Sequence, residues 1–207
     1  MKRIVLLFCL ISSATLAQSL NEQPMFGGLP KSPAMLKADA EFIATAAKYG
    51  DRAQTSDRSV ALGWQYLGKH DIPTAMKRFN QAWLLDPANG DAFHGFAVIV
   101  MDRDHDAAKA DQMFQQGLAA PRQSPGIFLD YGRFLLKAGR PAQAIAPLRK
   151  ALTFDGMGPD AGALLTMALF ESGNRTEACV ERAKMREGGQ AALYVSARAL
   201  TVVCEAR

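Results

Sequence analysis

The sequence predicts an all-α fold in which one helical unit is stacked four times. Three observations carry this. Over residues 75–87, Ala75, Phe79 and Ala82 recur at helical spacing, and Pro87, which cannot continue a helix, ends the run. A small residue in the same context returns at Ala110, Ala144 and Ala178, at intervals of 35, 34 and 34 residues. Self-similarity at such a period marks a solenoid, whose units bury their apolar faces against one another. With 49% hydrophobic and 21% charged residues over 207 positions, the composition is that of a folded chain with enough apolar material for such a core.

The elements follow in chain order. Residues 1–17 read as a secretory signal peptide: Lys2 and Arg3 form the positive end, Ile4 to Ile11 the apolar run, and Thr15-Leu16-Ala17 the small-residue cleavage site. The apolar run falls short of the ~20 residues that span a bilayer, so no membrane span is expected in the mature protein. Cys9 lies inside the run and follows the bulky Phe8, which argues against a lipidated cysteine. Residues 18–31, with Gly27-Gly28 and Pro30, read as a flexible tether. Ser32-Pro33 then supplies an N-cap and a first-turn proline for a helix over 33–48, expected to bury Met35, Phe42 and Ala46.

The first unit, 56–89, reads Leu62-Gly63-x-x-Tyr66, then Ala75-x-x-x-Phe79-x-x-Ala82, then Pro87. This pattern resembles the tetratricopeptide repeat, a helix–turn–helix unit of ~34 residues. Ser59 stands where that repeat usually has Trp. The second unit, 90–124, has Phe93, Phe96-Ala97, Val100, Ala110 and Phe114, and one extra residue in the loop near Asp102 to Asp106. The third, 125–158, has Phe128, Tyr131-Gly132, Leu135, Gly139, Ala144 and Leu148. The fourth, 159–188, has Leu165, Leu169, Gly173 and Ala178, and departs at Arg182, where a large apolar residue is expected. The resemblance implies a right-handed α-solenoid between two capping helices. Gly63, Ala97 and Gly132 would let the first helix of a unit approach the second, and the four alanines would let the second approach the next unit. A last helix over 190–205 would close the stack through Leu193, Ala197, Leu200 and Cys204.

Without the leader, Cys179 and Cys204 remain. An exported pair invites a disulfide. Two straight antiparallel helices turning near Gly188 would instead set Cys179 opposite Ala197. That leaves an offset on the order of 10 Å at ~1.5 Å per residue, beyond the ~7 Å that a disulfide tolerates between Cα atoms. Compartment and ideal geometry disagree, and both outcomes stay open.

The resemblance also implies that the first helices line a concave groove. Register then places Val60, Trp64 and Leu67, His94, Val98, Met101 and Asp102, Leu129, Arg133, Leu136 and Lys137, and Ala163, Met167, Phe170 and Glu171 along it. The expected partner-binding set is Trp64, Leu67, His94, Val98, Met101, Arg133, Leu136, Lys137, Met167 and Phe170. Exposed apolar residues of this kind mark an interaction surface, while the competing reading makes them core. The family's carboxylate-clamping groove uses Lys, Arg and Asn, of which only Arg133 and Lys137 have counterparts, so that ligand is not expected.

Catalytic and cofactor signatures are not found. The sequence holds no HExxH, no closely spaced cysteine pair, no P-loop and no G-x-S-x-G elbow. Gly156-x-Gly158 with Gly162 reads as a loop between units. Asp102, Asp104, His105 and Asp106 read as a solvated turn rather than a cation site, since their spacing fits no known loop. His70 reads as a surface turn residue. A net charge of +4 without a basic run gives no case for nucleic acid. The expectation is a non-catalytic scaffold or adaptor of the cell envelope, periplasmic in a bacterium, that takes a peptide or protein and needs no cofactor or metal. The alternatives are a self-associating structural envelope protein and an enzyme framed by the repeats.

Overall fold

The computed structural model describes residues 19–187 and Cys204. The predicted leader over 1–17 and the predicted capping helix over 190–205, apart from Cys204, lie outside the described residues. Nine α-helices are present among the described residues, and no strand. They are α1 (Pro33–Ala46), α2 (Arg52–Gly68), α3 (Ile72–Leu85), α4 (Gly90–Ile99), α5 (Ala107–Ala119), α6 (Gly126–Lys137), α7 (Pro141–Ala151), α8 (Gly158–Glu171) and α9 (Arg175–Glu187). Helices α2 to α9 pack as successive pairs, α2 on α3, α4 on α5, α6 on α7 and α8 on α9. The result is an all-α solenoid of four helix pairs.

Local chemistry sets the helix ends. Asp51, Asp71 and Asp106 cap α2, α3 and α5, their carboxylates accepting from the N–H of Gln54, Thr74 and Lys109. The turn inside each pair needs one left-handed residue. His70, His105, Gly139 and Gly173 fill it, with φ of 60°, 55°, 68° and 88°. These four positions repeat the 35, 34, 34 spacing of the alanines. The extra residue of the second unit is absorbed by a π-helical turn, Val100–Asp104, that continues α4.

Packing follows the small residues. Ala75, Ala82, Ala97, Ala110 and Ala144 are completely buried. A Cβ added to Gly63 would lie 2.6 Å from the Phe79 ring, and one added to Gly132 would lie 2.4 Å from Leu148. These glycines therefore set the approach of α2 to α3 and of α6 to α7. At the first junction, the Asn89 amide donates to Ser56 Oγ and Asp57, and Arg122 bridges Asp57 and Asp86.

Two expectations need correction, and the question left open for the cysteines is answered. Residues 20–28 are not a tether. Two 3₁₀ turns, Leu20–Glu22 and Pro24–Gly28, pack against α3, Pro24 is buried, and the Phe26 ring lies 6.4 Å from that of Trp83. Side-chain hydrogen bonds from distant parts of the chain hold this arm, and glycine content alone does not reveal them. Helix α1 buries Ala46, but Met35 and Phe42 are only half-buried and Leu36 stays 56% exposed. It therefore covers the first pair only in part. Finally, Cys179 and Cys204 are joined as a disulfide with Cα atoms 5.6 Å apart. The offset expected from two straight antiparallel helices is not what the chain adopts.

Candidate functional site

The first helices of the second and third units build a cleft. Val98 on α4 and Met101 and Asp102 on the π-helical turn form one side. Asp130, Arg133, Phe134 and Lys137 on α6 form the other, and Phe114 of α5 completes the lining. The cavity holds about 240 Å³. Val98, Met101, Phe114 and Phe134 supply the apolar part. Lys137 and Asp102 form no ion pair among the described residues. An apolar pocket edged by exposed Lys137, Arg133 and Asp102 suits an apolar side chain flanked by polar backbone.

Of the ten residues predicted for the groove, Val98, Met101, Arg133 and Lys137 line this cleft. His94 does not. It is 4% exposed, and its ring lies 4.7 Å from that of Trp64 and 6.0 Å from that of Phe114. His94 Nε2 is 2.9 Å from Asp130 Oδ2. A carboxylate only accepts, so Nε2 carries a proton and donates, and Nδ1 is buried with no hydrogen-bond partner. His94 is thus a support that fixes Asp130, and Asp130 in turn pairs with Arg133. Burial works to raise the Asp130 carboxyl, but the hydrogen bond and charge of His94, with Arg133, outweigh it and hold the group below the usual carboxylate range.

Trp64 is half-buried, edge-on to Phe79 at 5.3 Å, and it packs with Leu67 and Leu136 against the core. Phe170 does the same on α8 and takes the Arg175 guanidinium over its ring at 5.6 Å. Met167 is half-buried on α8. Trp64 and Phe170 thus pack against the core, and neither lines the α4–α6 cleft. Sequence reasoning missed Asp130, Phe114 and Phe134 as cleft residues. The spacing of Asp130 and Arg133, three apart on one helix face, was the available signal.

The acidic turn is built into the fold. Asp104 binds Arg103 with two hydrogen bonds, and Asp106 caps α5. Among the described residues no group of three His, Cys, Asp or Glu is placed to hold an ion. Nor is any described helix long and apolar enough to cross a membrane.

A solenoid of four helix pairs with small residues at fixed register and a left-handed turn in every pair defines a class. The chain has the tetratricopeptide-repeat fold. Its structure is similar to that of Pseudomonas aeruginosa pilF, with TM-score 0.57 and 23% identity over 65% of this chain and 62% of that one. PilW, described as a widely conserved type IV pilus biogenesis factor, aligns with TM-score 0.55 and 24% identity over 65% and 63%. YrrB, described as a TPR protein with an unusual peptide-binding site, aligns with TM-score 0.56 and 20% identity over 70% and 73%. The chain thus spans less than two thirds of the pilF and PilW chains it matches. No protein-family model and no curated protein matches the sequence.

Proposed function

We propose that this protein is a non-catalytic adaptor of the cell envelope that holds an extended peptide segment of a partner across the α4–α6 cleft. The observation that carries this reading is the cleft itself: an apolar pocket open between the first helices of two units, with Lys137 and Asp102 at its edge. An apolar side chain of the partner enters between Met101 and Phe134. Lys137 and Arg133 meet acceptors on one flank of the peptide, and Asp102 meets a donor on the other. The signal-peptide pattern over 1–17 supports export, and the fold-level likeness to PilW supports a role in assembling an envelope structure. His94 is buried beneath the cleft and engaged with Asp130, which supports a structural role for the imidazole.

Peptide-display selection against the exported chain tests the groove. Selected peptides should share an apolar anchor. They should lose at least tenfold in affinity for Met101→Asp, and their salt dependence should weaken for Lys137→Glu. Peptides that bind both variants as they bind the original would place the site elsewhere. The mass of the chain recovered from a bacterial periplasm tests export: loss of residues 1–17 is expected, and an uncleaved chain retained in the cytoplasm would refute it.

A further inference from the structure

A second binding site lies on α3, and the chain itself fills it. Asn80 is completely buried there, yet its side-chain amide reaches the arm. Nδ2 donates to the main-chain carbonyls of Asn21 at 3.0 Å and Gln23 at 2.8 Å. Arg103 donates from its guanidinium to the carbonyl between them, that of Glu22, at 2.8 Å. Three consecutive backbone acceptors are thus held by two side chains from separate units. Arg103 stands in the π-helical turn, so the one-residue insertion of the second unit delivers half of the clamp. Pro24, buried just beyond it, completes a site that grips backbone in a set register.

The way the arm leaves this site is costly. Met25, Phe26, Gly27 and Gly28 all adopt left-handed φ, of 52°, 56°, 76° and 66°. Two of the four are L-residues with side chains, for which that conformation is unfavourable. The reversal serves to return the chain to α1 of the same molecule after a connection of only four residues, 29–32. A short connection under strain favours exchange of the attached element between copies. The segment it leads to is also poorly covered. Leu29, Leu36 and Tyr49, at 61%, 56% and 71% exposure, are three of the five exposed large hydrophobics among the described residues.

We infer that two copies of this chain exchange their N-terminal arms. Residues 20–24 of one molecule occupy the Asn80–Arg103 clamp of the other, the left-handed reversal straightens, and α1 follows the arm toward the partner's surface. Both molecules keep the clamp contacts of the closed form, and both lose the strain at residues 25 and 26. This inference does not depend on what the α4–α6 cleft binds.

The test is sedimentation equilibrium of the exported chain and four variants over a wide concentration range, with folding of each checked by circular dichroism. A Cβ on Gly28 would meet nothing within 4 Å, so Gly28→Val acts only by opposing the left-handed conformation. It should tighten the dimer at least tenfold. Phe26→Gly eases the reversal and should weaken the dimer by a similar factor. Asn80→Leu removes the hydrogen bonds to Asn21 and Gln23, and Arg103→Ala removes the one to Glu22 while leaving the core untouched. Asn80→Leu should undock the arm in both forms and so abolish the dimer. Arg103→Ala weakens docking equally in both forms and should leave the dimer constant nearly unchanged. Excess synthetic peptide spanning residues 19–28 should dissociate the dimer. A chain that stays monomeric even as Gly28→Val, or a dimer indifferent to Asn80→Leu and to the peptide, would overturn the inference.

Discussion

Gly95 offers the sharpest check on how closely the first two units pack. A Cβ added there would lie 2.3 Å from Phe79 Cε1 and 2.4 Å from two other ring atoms, where 3.4–4 Å is ordinary contact. The Phe79 ring has little freedom to withdraw. It is completely buried, Gly63 presses on it from α2, and Trp64 and Phe96 meet it at 5.3 and 6.5 Å. Overpacking of such a site costs ~3 kcal/mol, the top of the usual range. Replacing glycine by alanine inside a helix returns ~1 kcal/mol. Gly95→Ala should therefore destabilise the fold by about 2 kcal/mol and lower Tm by roughly 4–8 °C, read by thermal and urea unfolding. Phe79→Leu removes the ring edge that the new methyl strikes. In that background Gly95→Ala should cost at least ~1 kcal/mol less, a coupling that a double-mutant cycle isolates. The reasoning fails if Gly95→Ala raises Tm, or if its cost is the same with Phe and with Leu at position 79.

Three further outcomes are expected. His70→Gly and His105→Gly should each stabilise by ~1 kcal/mol in urea unfolding, because both residues hold a left-handed φ that glycine adopts without strain. Opening the Cys179–Cys204 bond, which links residues 25 apart, should cost about 3.5 kcal/mol by loop entropy. Reduction of the original chain and Cys204→Ser should then give the same Tm. Asp130, whose carboxyl is held low in the folded chain, binds fewer protons folded than unfolded near its titration. Its stabilisation is therefore complete above the unfolded value of about 4 and is lost as pH falls through the lower folded value. Asp130→Asn should flatten the acid limb of the stability profile, and an unchanged limb would remove Asp130 from the account.

What was legible in the sequence was the part of the fold that repeats. Ala75, Ala110 and Ala144 show no exposure and Ala178 shows 1%, because a constant register leaves one place where helices of adjacent units touch. Gly63 and Gly132 were legible for the same reason. Gly95 was not, since Ala97 occupies the repeat position and the contact of Gly95 with Phe79 crosses from one unit to the next. The cleft was half legible. Register found Val98, Met101, Arg133 and Lys137, but it could not tell that His94 lies beneath the surface it was expected to form or that Trp64 packs edge-on against Phe79. Burial there depends on Phe79 and Phe114, residues from second helices. The docked arm was not legible. Asn80 meets it from 59 and 57 positions away, and a stretch containing Gly27-Gly28 looks the same whether it is free or folded into a left-handed turn.

One irregularity links the parts that escaped the repeat. A strict period of 34 would carry α4 straight into its turn. The extra residue instead widens the helix into a π-helical turn after Val100, the last completely buried position of that helix. The insertion therefore leaves the packing register upstream intact, and His105 restores the common turn one residue late. Three consecutive side chains on the widened turn thereby lie outside the fully buried core. Met101 and Asp102 line the cleft, and Arg103 holds the Glu22 carbonyl. A helix that kept i→i+4 bonding would turn each of these side chains by about 100° per residue relative to the next unit. The insertion thus sets where these residues stand: two at the proposed peptide cleft and one against the N-terminal arm.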